Sequence, residues 1–149
     1  MPDPSAMPSV SMDAAVAVLA EYQDRLDRAR SEGPARYDQV FSNPPPGVGL
    51  HEIDKDRVIR RVNAVEPELL GYRAEDLVGR AVHDFIVMSE ASQRAIEKKL
   101  SGEAALKPFV RTFRKSDGSA VAMALVDRIL KDGQGAVIGI RTALMPIVG

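Results

Sequence analysis

Asn63-Ala-Val-Glu-Pro-Glu-Leu-Leu-Gly-Tyr72 reads as one short helix with both ends written into it. Asn63 is a favourable N-cap, and Glu66, three residues on, is placed to reach back to the capping residue's amide. Leu69 and Leu70 supply a small apolar face. Gly71 predicts a left-handed stop, since glycine takes positive φ without strain, and Tyr72 can fold back onto the helix it ends. A helix this short is unstable alone, so its flanks must hold it. Before it, Val58-Ile-Arg-Arg-Val62 has the character of a strand. After it, Arg73-Ala-Glu-Asp-Leu-Val-Gly79 reads as a second helical turn closed by another glycine.

Working outward, Asn63 followed by Leu69-Leu-Gly-Tyr72, then Glu75-Asp-Leu-Val-Gly79, then Arg114-Lys-Ser-Asp-Gly118 resembles the PAS sensor domain, of the sensory-box type common in bacterial signalling proteins. The resemblance runs from Gly47 to Ile147, and the order and spacing of the motifs carry it. It implies a sensor and interaction module. It also implies a Gly near Arg57, so the turn Asp54-Lys-Asp-Arg57 is expected to be strained or of another type. A last strand ending in Asp-Ile-Thr and leading to a signalling helix is implied too; this chain has Pro146-Ile147-Val148 there. A fragment of a longer protein, such as a histidine kinase, and a stand-alone module both fit.

The totals narrow the function classes. A chain of 149 residues suits one domain plus an extension. Its 20 basic and 21 acidic residues nearly cancel, which gives no electrostatic case for nucleic acid or an anionic membrane. No apolar run approaches a membrane span. The absence of cysteine fits a cytoplasmic protein and excludes disulfides, thiolate catalysis and cysteinyl-flavin photochemistry. With only His51 and His83 as imidazoles, a metal site is not expected.

In chain order, residues 1–10 are Pro- and Ser-rich and are expected to be disordered. Residues 11–33 form an amphipathic helix capped by Ser11, with Met12, Ala15, Leu19, Tyr22, Leu26 and Ala29 recurring at alternating three and four residues. That stripe either packs on its own domain or makes the seam of a homodimer. The dimer reading is preferred because the stripe is narrow, and its interface would comprise Ala15, Leu19, Tyr22 and Leu26 with Leu50 of the sheet. Residues 34–46 read as a linker holding a helical turn anchored by Tyr37, Val40 and Phe41. The PAS domain is expected over 47–149: strands at Val48–Ile53 and Val58–Val62, the short helices, an apolar segment at Val82–Val87, and a longer helix from Glu90 to Ser101, capped by Ser89 and ended by Gly102. Strands Pro108–Lys115, Ala120–Leu130 and Ala136–Leu144 follow, joined by turns at Ser116-Asp117-Gly118 and Lys131–Gly135. The class is α+β: a five-stranded antiparallel sheet with short helices on one face, preceded by the amphipathic helix.

Centring the first hairpin on Gly118 pairs Phe113 with Met123, Arg111 with Leu125 and Phe109 with Asp127, and alternation puts all six on one face. Resemblance to flavin-binding relatives implies that this face lines a pocket under the helices. It turns Gly49, His51 and Ile53 inward on the first strand, and Ile138, Ile140, Thr142 and Leu144 on the last. Val48 and Leu50 face the other side. The candidate ligand-binding set is therefore His51, Ile53, Phe85, Arg111, Phe113, Met123, Leu125, Asp127, Ile140 and Thr142. Arg111 and Asp127, as diagonal neighbours, form either a structural ion pair or a ligand clamp. His51 is either a hydrogen-bonded core residue or a ligand contact. The resemblance disfavours haem, since haem-binding PAS domains that use a proximal His place it on the long helix or its approach, and no His lies on Glu90–Ser101. It also disfavours flavin of the blue-light kind, since Phe113 and Met123 stand where those relatives have amides. No nucleophile–base constellation or phosphate loop is present. The sequence thus points to a non-enzymatic sensor of a small molecule that controls an output such as a kinase, or to a ligand-independent dimerisation module.

Overall fold

The computed structural model describes residues 10–87, 89–101 and 106–148, with Ser89 as backbone only. The chain opens with α1 (Met12–Glu32), where the Ser11 hydroxyl accepts the Ala14 N–H at 3.2 Å. Gly33 ends it, and Pro34 occupies the first position of α2 (Pro34–Phe41), where a missing N–H costs nothing. Then come β1 (Gly49–Asp54), β2 (Ile59–Val62), α3 (Val65–Leu70), α4 (Ala74–Leu77), a 3-10 turn at Val82–Phe85, and α5 (Ser89–Leu100). The chain finishes with β3 (Phe109–Arg114), β4 (Ala120–Lys131) and β5 (Val137–Pro146). The five strands form one antiparallel sheet in the order β2-β1-β5-β4-β3.

Each face of the sheet has its own apolar core. The inner face gathers Ile53, Phe113, Leu125, Ile140 and Leu144 under Leu69, Leu70, Leu77, Phe85 and Ile96 of the helices. The outer face gathers Val48, Leu50, Ala124, Val126, Ala143 and Met145 against α1 and α2. β5 lies between them and is buried from Gly139 onward.

Four expectations need correction. The stripe Ala15, Leu19, Tyr22 and Leu26, together with Leu50, is fully buried within one chain, so it is core and not an open dimer seam. The sheet offers an apolar outer face, and burying the stripe there requires no second copy. The 34–46 stretch is more than a linker. Tyr37, Val40 and Phe41 of α2 are buried, and the Tyr22 hydroxyl donates to the Val40 carbonyl at 2.6 Å, with Phe41 O at 3.1 Å. Val10 is ordered: it bridges to Ile147 in parallel, and its carbonyl accepts the Val148 N–H. Ile138 lies beyond the cover of the helices and is 42% exposed. The expectations for residues 1–9 and for Gly102 as a helix stop lie outside the described residues.

The β3–β4 register also differs from the expected one. Phe113 pairs with Val121, Arg111 with Met123 and Phe109 with Leu125. The loop is Ser116-Asp117-Gly118, so the hairpin is centred on Asp117. Gly118, at φ 87°, donates to Lys115 O at 3.0 Å, and Lys115 donates to Ser119 O at 2.8 Å. This is the three-residue loop with its last residue left-handed. Shifting the centre by one residue moves every partner by two. The inward face survives and the neighbours change. Arg57 takes φ 67°, as expected for a residue standing where the resemblance implies Gly.

Candidate functional site

Asn63 positions one side of the site. Its Oδ1 accepts the N–H of Leu50 at 3.1 Å and of Glu66 at 3.0 Å, and its Nδ2 donates to the Val48 carbonyl at 3.0 Å. It caps the start of α3 and ties that helix to β1, but the expected return bond from Glu66 is not formed: the Asn63 N–H donates to the Leu50 carbonyl at 2.9 Å instead. Gly49 permits the close approach: a Cβ there would stand 3.0 Å from Leu144 Cδ1, 3.2 Å from Leu69 Cδ1 and 3.3 Å from the Glu66 Cα. The Glu66 carboxylate turns inward and meets His51 Nδ1 at 2.6 Å, with both side chains buried. This hydrogen bond holds His51 between sheet and helix. Burial alone pushes the His51 pKa down. The charge and hydrogen bond of Glu66, helped by Asp127, outweigh that against the opposing charge of Arg111, so it lies above the ordinary value.

Strand register sets His51, Thr142 and Asp127 in one row across β1, β5 and β4. Asp127 is buried and doubly held. Its Oδ1 accepts the Thr142 hydroxyl at 2.6 Å, and its Oδ2 pairs with Lys99 Nζ of α5 at 2.7 Å. The expected Arg111–Asp127 ion pair is therefore not formed. In the observed register Arg111 sits opposite Met123, four residues short of Asp127. Its guanidinium lies 4.7 Å from the centre of the Phe109 ring, and Lys99 Nζ lies 3.7 Å from the same ring. Burial lowers the Arg111 pKa, and the charge of Asp127 opposes the shift from beyond hydrogen-bond range.

Eight of the ten candidate ligand residues line one small cavity between sheet and helices: His51, Ile53, Arg111, Phe113, Leu125, Asp127, Ile140 and Thr142. Phe85 and Met123 are core residues that do not reach it, Phe85 packing edge-on against Tyr72 with ring centres 5.0 Å apart. Val82, Ile86 and Ile96 complete the wall. The void is about 10 Å³, room for a single water molecule. The sequence reading missed Glu66 and Lys99, though spacing marks both. Glu66 precedes Leu69 by three residues and Leu70 by four, and Lys99 follows Ile96 by three, so each shares the apolar side of its helix.

The outer face of the sheet carries a second polar network, also missed. Arg141 is fully buried. Its Nε donates to Gln23 Oε1 at 2.6 Å and its Nη2 to Asp27 Oδ1 at 2.5 Å. Gln23 Nε2 in turn donates to the carbonyls of Val126 and Arg141 at 2.8 and 3.0 Å. Arg141 and Thr142 are consecutive, so the two networks stand back to back through β5.

Comparison with known proteins agrees with this architecture. The C4-dicarboxylate transport sensor protein DctS of Rhodobacter capsulatus is 29% identical over 140 residues; the match takes in 88% of this chain and 21% of that protein. The chain thus spans about a fifth of that relative's length. Among solved structures, the PAS domain of an HTR-like protein from Haloarcula marismortui superposes with a TM-score of 0.61 at 21% identity, over 86% of this chain and 99% of that one. The PAS domain of a LuxR-family transcriptional regulator from Burkholderia thailandensis, solved in complex with ethanol, gives 0.56 at 20% identity, over 72% of this chain and 94% of that one. A family model described as PAS fold matches residues 46–145, which take in all five strands but for the last residue of β5, together with the helices over the inner face, and this chain belongs to the PAS family.

Proposed function

We infer that the domain is the signal-receiving part of a sensory protein: a small molecule engages the polar groups under α3 and α5, and the change reaches an output domain such as a histidine kinase. The observation that carries this reading is the set of charged groups buried on the inner face, His51 with Glu66 and Lys99 with Asp127 and Thr142. Apolar packing serves stability as well or better than buried ion pairs, which supports a role for these groups beyond filling the core. The name of the Rhodobacter relative, a transport sensor, and the ethanol bound to the Burkholderia domain agree with small-molecule sensing. The test is mass spectrometry of the protein under native and denaturing conditions, joined to a thermal-shift screen of small metabolites. A molecule released on denaturation, or a compound that raises the melting temperature, supports sensing. The absence of both overturns it. A second reading is favoured by the smallness of the inner void, about 10 Å³: the domain is a ligand-independent module that pairs two copies. Its mark is a dimer in sedimentation with no bound molecule and no responsive compound.

A further inference from the structure

We propose that the groove between β3 and the first turn of α5 binds a small organic monocarboxylate through Arg111. This rests on the sensor reading and gives the ligand a chemical class and a place outside the inner void. Arg111 borders two spaces. On one side is the cavity with room for one water. On the other is an open groove of about 320 Å³, walled by Val87, Ala91, Ser92, Val110 and Thr112. The second volume falls at the small end of ligand sites.

Charge selects the ligand class. The inner carboxylates are committed, Glu66 to His51, and Asp127 to Lys99 and Thr142. Among the described residues no carboxylate stands within ion-pair distance of Arg111. A guanidinium has five N–H donors and no acceptor, and its fork matches a carboxylate with two parallel hydrogen bonds. Half-buried against Phe109, it is partly stripped of water, so a bound anion gains more there than at an exposed Arg. Among the described residues lining the groove, Arg111 is the one cation. A second ligand carboxylate would find no partner among Val87, Ala91 and Val110, whereas a short alkyl chain would pack against them. The hydroxyl of Ser92 allows one further hydrogen bond, which a hydroxy acid would use.

The experiment is calorimetric titration at fixed ionic strength with acetate, butyrate, 3-hydroxybutyrate and hexanoate, with butyramide as the neutral control and succinate as the dicarboxylate. The expected result is saturable binding of butyrate or 3-hydroxybutyrate, at least about tenfold weaker binding of butyramide and succinate, and a loss of about tenfold or more in Arg111→Gln. Ala91 is exposed on α5, so Ala91→Trp fills the groove without disturbing the core, and it should abolish binding while leaving the melting temperature near that of the wild type. Acid and amide binding alike, undiminished binding in Arg111→Gln or Ala91→Trp, or no saturation by any acid overturns the proposal. A different metabolite whose binding is unchanged in both Arg111→Gln and Ala91→Trp would sink the groove site and leave the sensor reading standing. If no compound of any class binds, both fall.

Discussion

Lys99 and Asp127 are nearly excluded from water, with side chains 9% and 6% exposed. Replacing either one alone leaves the other charge buried without its partner, and is expected to cost about 3–5 kcal/mol of unfolding free energy. Lys99→Met combined with Asp127→Leu removes both charges at similar volume and should cost much less. Urea unfolding of the two single variants and the double closes the cycle, and simple additivity would show that the residues are not coupled. The other inner pair responds to pH. The folded His51 pKa is raised above its ordinary value of about 6.5. A raised histidine binds its proton more tightly folded than unfolded, so its stabilisation is complete below about pH 6.5 and is lost as pH rises through the folded value. The wild type should therefore lose stability on going from mildly acidic to mildly alkaline solution. Glu66→Gln, which removes the raising charge, should flatten that slope. Equal slopes in both proteins would mean that Glu66 does not hold the proton on His51.

At the scale of elements, the test case is α1. Leu19 is fully buried against the sheet of its own chain, so Leu19→Ala should cost about 2–5 kcal/mol as a cavity in a monomeric core. An intramolecular core unfolds with a midpoint independent of protein concentration, whereas a subunit seam does not. Denaturation at two protein concentrations about tenfold apart should give the same midpoint for wild type and variant; a midpoint rising with concentration would restore the seam. The heptad-like spacing could not decide this, because a narrow stripe suits a partner helix and an apolar sheet face equally well. Other elements were legible because their signals are local. Asn63 and Gly71 bound α3, and the glycine-bearing turns define both hairpins. The alternation that turns Phe113, Leu125 and Ile140 inward was read correctly for the same reason. The β3–β4 register was not, since the choice between Asp117 and Gly118 as centre depends on the hydrogen bonds of Lys115 and not on residue type. That slip of two residues produced the mistaken Arg111–Asp127 pair. Lys99 as the true partner comes from a helix 28 residues away in sequence, a distance no local signal spans.

Across the whole molecule, the inner and outer layers share one strand. β5 is buried on both faces and lies at the centre of the sheet order. Its consecutive residues Arg141 and Thr142 anchor the outer network to α1 and the inner network to Asp127. Gln23 adds hydrogen bonds from α1 to the carbonyls of β4 and β5. Detaching α1 would leave buried Arg141 without its Gln23 and Asp27 acceptors and bare the apolar outer face, so α1 cannot leave cheaply while the sheet stays folded. α5 is held differently. Its inward side includes Ser92, Ile96 and Lys99, it is fastened by the buried pair with Asp127 and by the more exposed Arg57–Glu97 ion pair, and much of its remaining surface is exposed. Native-state hydrogen exchange separates these cases. Amides of β5 and of the middle of α1 should exchange with the same free energy, that of global unfolding, and α5 should open at a lower one. Lys99→Met should lower the opening energy of α5 more than that of α1. Should the amides around Gln23 exchange well ahead of those in β5, α1 would be a detachable strap, and the Gln23–Arg141 network would not bind the two layers into one cooperative unit.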